Sequence, residues 1–263
     1  MGSSGVASYN TSNQKRPTTK SLPTAFVRGF RVLLSEAMDA VDPESGKALR
    51  KCIGVYAFYD YDGEPIYVGQ TTEDFGTRVG RHLTGQRSDT LAYRILDPFE
   101  VAEVELYPLE GLRDKPKKVK AELMDGAEYA VYAAAIAGSK HKAILNEKIP
   151  KNPPAPPMPE PQRFSLVPSD LREDREHPDV RIARRAETLA RVAAVAHERG
   201  EVSPGLRRVI VIQAVRLADL AAARLAFAEG RPRPRPDAID VRELVGNVLA
   251  PTDDADIESE DEV

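Results

Sequence analysis

Apolar positions in this chain recur with two periods. From Leu22 to Val41 the residues Val27, Phe30, Leu34, Met38 and Val41 repeat at helical spacing, which predicts one amphipathic helix. Asp42-Pro43-Glu44-Ser45-Gly46 then reads as a loop. The next stretch changes character. Residues 52–59 (Cys-Ile-Gly-Val-Tyr-Ala-Phe-Tyr) form a β-rich run, Asp60 to Gly63 is a turn signal, and the strand pattern resumes from Pro65 to Val68, so a hairpin is predicted. A short helix follows with Asp74 as its N-cap, running through Arg78 and His82, and a second helix is expected after Asp89. Residues 99–107 alternate in polarity and read as a third strand. A lysine-rich loop (Lys115, Lys117, Lys118, Lys120) leads into a helix from about Ala121 to Ala137, and the region closes near Asn146.

Residues 150–168 contain eight prolines, which makes them a semi-rigid linker rather than core. Beyond it, Val180 to Arg199 and Pro204 to Glu229 are Ala/Leu/Val/Arg-rich helices, with Gly200 ending the first and Ser203-Pro204 starting the second. Ile182, Leu189, Val192 and Ala196 form one apolar stripe; Leu206, Val209, Ile210, Leu217 and Leu220 form another. Two helices alone rarely bury enough surface to be stable. Their stripes are therefore expected to meet either the preceding domain or a second copy of the chain, a homodimer through the C-terminal helices. The division that results is a flexible arm (1–21), an N-terminal helix and loop (22–48), an α+β domain (49–152), a Pro-rich linker (153–179), an all-α helical hairpin with a last short helix (180–250), and an acidic, disordered tail (251–263).

Charge alters this picture only at the ends. The formal net charge is -4, yet residues 251–263 alone hold seven acidic and no basic side chains. Without them the chain is slightly basic, and the N-terminal fifty residues supply that excess, leaving the central region near neutral. Such a region predicts modest non-specific affinity for DNA. The single cysteine, Cys52, excludes an internal disulfide and a cysteine-based zinc site. No apolar run approaches the ~20 residues a membrane span needs. Residues 1–20 are polar and Ser/Thr-rich, unlike a secretory signal, so the cytoplasm is the expected compartment.

Phosphodiester cleavage needs a base near the attacking water, positive charge at the phosphoryl oxygens and a carboxylate to hold a metal. The α+β region offers Tyr56 and Tyr67 on the two arms of the hairpin, Arg78 and His82 on one helix face, and Glu128 on the long helix, with Glu122 as its rival. Gly54-Val55-Tyr56, followed after ten residues by Tyr67-Val68-Gly69, resembles the two-part signature of the GIY-YIG nuclease superfamily. Arg78 and His82, then Ala127-Glu128-Tyr129-Ala130 and Leu145-Asn146, fall in order where that family has its helix arginine, its His or Tyr, its metal-binding glutamate and its closing Asn. The resemblance covers about 100 residues.

It implies a small three-stranded antiparallel sheet flanked by helices and an endonuclease that cuts DNA with one divalent ion, Mg²⁺ or Mn²⁺. By the same resemblance Tyr56 is the general base, Tyr67 positions water or phosphate, and Arg78 binds the scissile phosphate. His82 orients or deprotonates a neighbour, Glu128 is the sole protein metal ligand, and Gly54, Gly69 and Asn146 support the site. Lys115, Lys117 and Lys118 are candidate phosphate contacts or simply a solvated loop. An ordinary tyrosine, with pKa near 10, is only about 0.1% phenolate at neutral pH. Tyr56 therefore needs a nearby cation to act as a base; failing that, it orients water held by the metal. Gln70 stands where many members of the family carry Lys, which removes one cation and leaves open an inactive fold that binds nucleic acid or a protein partner.

Overall fold

The structure is a computed structural model and describes residues 22–84 and 95–250. The expected arm, the acidic tail and most of the helix expected after Asp89 lie outside the described residues. Four strands form one antiparallel sheet in the order β2-β1-β3-β4: β1 (Gly54–Tyr59), β2 (Pro65–Thr71), β3 (Glu103–Pro108) and β4 (Gln162–Ser165). β1 and β2 make the predicted hairpin, with Tyr56 opposite Gly69 and Phe58 opposite Tyr67. Its turn is organised by Asp60, whose Oδ1 accepts from the backbone N–H groups of Asp62 at 2.9 Å and Glu64 at 3.1 Å. Gly63, at φ +70°, closes it in a conformation that favours glycine.

The sheet has four strands where three were expected. The extra strand lies in the Pro-rich stretch read as linker. There Gln162–Ser165 is a proline-free interval after Pro161, and four residues suffice to pair with the open edge of β3.

Seven helices flank this sheet among the described residues: α1 (Ala25–Asp39), α2 (Phe75–Thr84), α3 (Lys117–Gly138), α4 (Arg172–Glu176), α5 (Pro178–Arg199), α6 (Pro204–Ala228) and α7 (Val241–Val245). α2 is capped by Asp74, which accepts from the Thr77 N–H at 2.6 Å. α3 begins four residues before the expected Ala121. Pro116 is its extended N-cap, and the lysines that follow are good helix formers, so Lys117, Lys118 and Lys120 belong to the helix rather than to a loop. Met124, Ala127, Val131 and Ile136 are buried on α3, which packs on β2 and β1.

α5 and α6 pack on each other and against the turn end of the hairpin. The buried side of α5 is not the apolar stripe read from the sequence. Arg181, Arg185 and Thr188 are buried there, beside Val192 and Val195. The Oδ2 atom of Asp60 receives Arg185 at 2.9 Å, Arg216 of α6 at 2.8 Å and Arg181 at 3.3 Å, and Glu100 receives Arg185 at 3.2 Å. Guanidiniums and carboxylates this deep persist because each neutralises the other; removing one partner from such a cluster costs about 3–5 kcal/mol. At its other end α6 lies against the chain after α3: Ser203 donates to Glu147 at 2.6 Å, and a side chain at Gly205 would collide with the Glu147 carbonyl. The last segment returns to α3, where Tyr129 and Tyr132 donate to the carbonyls of Leu249 at 3.0 Å and Val248 at 2.7 Å.

Candidate active site

β2 is the edge strand on which the site is built. Its outer rim is closed by the segment after α3: the Leu145 N–H donates to Ile66 O at 2.8 Å, and the Asn146 amide accepts from Val68 N–H at 3.0 Å while donating to Val68 O at 2.8 Å. One side chain thus replaces a neighbouring strand, which explains an Asn at the end of this region. Side chains alternate across the sheet. Tyr56, Tyr67 and Gly69 share one face, covered by α2, whereas Gln70 lies on the face covered by α3.

On the first face the rings of Tyr56, Tyr67 and His82 form a triangle with centroids 5.9–6.3 Å apart. The Tyr56 hydroxyl is 3.4 Å from His82 Nε2 and hydrogen-bonded to it. Gly69 makes this packing possible, because a Cβ there would sit 2.5 Å from the Tyr56 hydroxyl oxygen. Gly54 is equally constrained, by the backbone carbonyl of Tyr107.

On the second face Gln70 Nε2 donates to Asp125 Oδ1 at 2.7 Å and to Glu128 Oε2 at 3.1 Å. The two carboxylates are three residues apart on α3 and share a helix face. Glu122 is exposed, which leaves Glu128 as the glutamate at the site.

Electrostatics join the two faces around the β2 edge. Burial pushes the Tyr56 hydroxyl up to about 12, although Arg78, near enough to hydrogen-bond it, pulls the other way. Tyr67 is held well above the usual phenol range by burial, then by Tyr56 and Glu128. Glu128 is raised to about 7 by burial, with the Asp125 charge adding to the effect and Gln70 and Arg78 opposing it. Tyr56, Tyr67, Arg78 and Glu128 therefore all sense one another's charge, and His82 touches both tyrosine rings. Lys115, Lys117 and Lys118 are exposed around the start of α3. Eleven residues of helix place Lys117 roughly 16 Å from Glu128, outside this cluster.

Sequence reasoning missed Asp125 and regarded Gln70 only as a lost lysine. The spacing of Asp125, one helical turn before Glu128, was the available signal. Among the described residues no group of three or more His, Cys, Asp or Glu side chains is placed to hold a metal ion, and no helix is long and apolar enough to cross a membrane.

Residues 52–113 match the family model described as the GIY-YIG catalytic domain. The matched segment holds β1, β2, α2 and β3, and hence Tyr56, Tyr67, Arg78 and His82. It stops before α3, so Glu128 and Asn146 stand outside it. As a family these domains are endonucleases. No curated protein and no solved structure matches the chain.

Proposed function

We propose that the chain is a divalent-metal-dependent DNA endonuclease. The observation that carries this reading is the convergence of two tyrosines, an arginine, a histidine and a glutamate from four separate elements at one strand edge. The donors fit a hard divalent cation. Glu128 is a carboxylate whose proton is retained to about 7 by burial and a neighbouring acid, a state that a cation relieves. Glu128 would hold the ion, Mg²⁺ or Mn²⁺. When bound, the ion supplies charge to the phosphoryl and leaving oxygens.

The remaining work falls to the chain's own groups. Arg78 binds the scissile phosphate and offsets its developing charge. Tyr67 positions the phosphate or the water. With its pKa near 12, Tyr56 is a neutral phenol in neutral solution, and Arg78 does not overcome burial. Its role is a relay: the phenol oxygen takes a proton from the attacking water as its own proton passes to His82 Nε2, the nitrogen 3.4 Å away. The lysines at 115, 117 and 118 would meet backbone phosphates several positions from the cut, since successive phosphates on one strand lie about 3.4 Å apart along the duplex axis.

Nicking of supercoiled plasmid with and without Mg²⁺ tests the proposal. Cutting by the wild type that disappears in Glu128→Gln supports it. Equal background in both leaves the second reading, a nucleic-acid-binding fold without activity. The observation in favour of that alternative is the Gln70 amide, which already engages both carboxylates.

A further inference from the structure

We infer that Asp125 is a positioning residue for Glu128, acting through the Gln70 amide; the inference rests on the nuclease reading of this site. Asp125 is half-buried and lies one turn before Glu128 on the same face of α3. A single nitrogen, Gln70 Nε2, bridges the two, with the shorter bond going to Asp125: 2.7 Å against 3.1 Å. The NH₂ group has two hydrogens, so each carboxylate can receive one.

The chemistry of the amide makes the arrangement directional. A carboxylate only accepts, whereas a glutamine amide presents a donor at one end and an acceptor at the other. If Asp125 is present, turning the amide over would place its carbonyl oxygen against two carboxylates, so the donor end stays in place. Without Asp125, Glu128 alone opposes that rotation, and the amide oxygen can swing towards it. Glu128 then loses its tether at Oε2 and regains the freedom of a long side chain. Two acids three apart on a helix also repel, so an Asp at this position would be unfavourable without the shared donor.

Gln70 is itself well anchored. It belongs to β2, is paired with Val55 of β1, and adjoins Gly69, which is tightly packed against Tyr56. The bridge thus ties the helix that carries the carboxylate to the strand that carries Tyr67. A metal-binding glutamate held to the tyrosine hairpin in this way keeps one position before DNA arrives.

Asp125→Asn keeps an oxygen acceptor for Gln70 but loses the charge; Asp125→Ala loses both. In the full chain, Mn²⁺ binding without DNA is measured by calorimetry, and nicking is resolved into kcat and KM for plasmid. An Asn accepts from Gln70 but can also donate, so it holds the amide's sense less firmly, and Asp125→Asn should fall between wild type and Asp125→Ala, losing about three-fold in Mn²⁺ affinity and kcat. Asp125→Ala should lose about ten-fold in both, with KM unchanged. Equal loss in the two variants overturns the inference, because the charge rather than the bridge then matters. Wild-type behaviour of Asp125→Ala overturns it as well. If the wild type binds Mn²⁺ but does not cut, the nuclease reading fails while the calorimetry still decides on Asp125. A wild type that binds no Mn²⁺ overturns both.

Discussion

Replacing Tyr56 by Phe separates two ways in which a buried phenol can serve catalysis. A hydroxyl with pKa about 12 is ionised in roughly one molecule in ten thousand at pH 8. If that phenolate were the base, the rate would rise tenfold per pH unit to beyond pH 10. The relay to His82 predicts no such tenfold climb per unit at alkaline pH, since the phenol never needs to ionise beforehand. Acid–base groups of this kind contribute about 10²–10⁴-fold, or roughly 3–5 kcal/mol of barrier. Tyr56→Phe should therefore lower kcat by that factor with little change in KM. His82→Ala should do the same, and the double variant should be no worse than either alone because both interrupt one path. The fold should lose only about 1 kcal/mol with the hydroxyl. Single-turnover nicking of supercoiled plasmid between pH 6 and 10, with urea unfolding as the control, measures all of these. A wild-type rate still climbing at pH 10, or additive losses in the double variant, would refute the relay.

Three further outcomes follow from the surrounding geometry. Gly69→Ala places a Cβ 2.5 Å from the Tyr56 oxygen, so the ring must shift; about 1–3 kcal/mol of unfolding free energy and most of kcat should be lost, and an unaffected variant contradicts the packing described. Asn146→Ala deprives Val68 of both backbone partners, which should cost about 2–4 kcal/mol and speed hydrogen exchange at the Val68 amide. His141 is buried with neither ring nitrogen hydrogen-bonded, and burial, then Arg216 and Lys140, lower its pKa from the ordinary 6.5 to about 4. The unfolded chain thus takes up this proton below pH 6.5 and the folded chain only near 4, so the stability His141 contributes is intact above 6.5 and falls as pH drops through that window, by ~3 kcal/mol at most. Urea unfolding of His141→Leu should lack this component of the acid slope.

Much of the central region was legible because its signals are local. The hairpin follows from β-branched and aromatic runs around an Asp-rich turn, and α2 from an Asp cap; the structure has both. Tyr56, Tyr67, Arg78, His82 and Glu128 were named from motif order alone, and the structure brings them together. What sequence order could not convey was which atoms meet. Burial of the Tyr56 hydroxyl outweighs its arginine, a balance set by packing from several elements. Gln70 read as a missing charge because its two acceptors lie 55 and 58 residues away. β4 was hidden by the prolines on either side of four residues. The buried face of α5 was hidden for another reason: Arg181 and Arg185 count as polar in any periodicity, and only the three-dimensional meeting with Asp60 and Glu100 makes an interior of them.

That meeting bears on any attempt to use the α+β region by itself. A fragment that stops near residue 152 would keep Asp60, Glu64 and Glu100 but discard the guanidiniums that neutralise them, and would lay bare Ile66 and Leu145 beside them. The carboxylates would draw water into the turn from which both tyrosine-bearing strands spring. The two long C-terminal helices are thus less a handle for attachment than a brace behind the hairpin. A chimera built on this protein should add to its surface and leave that brace whole.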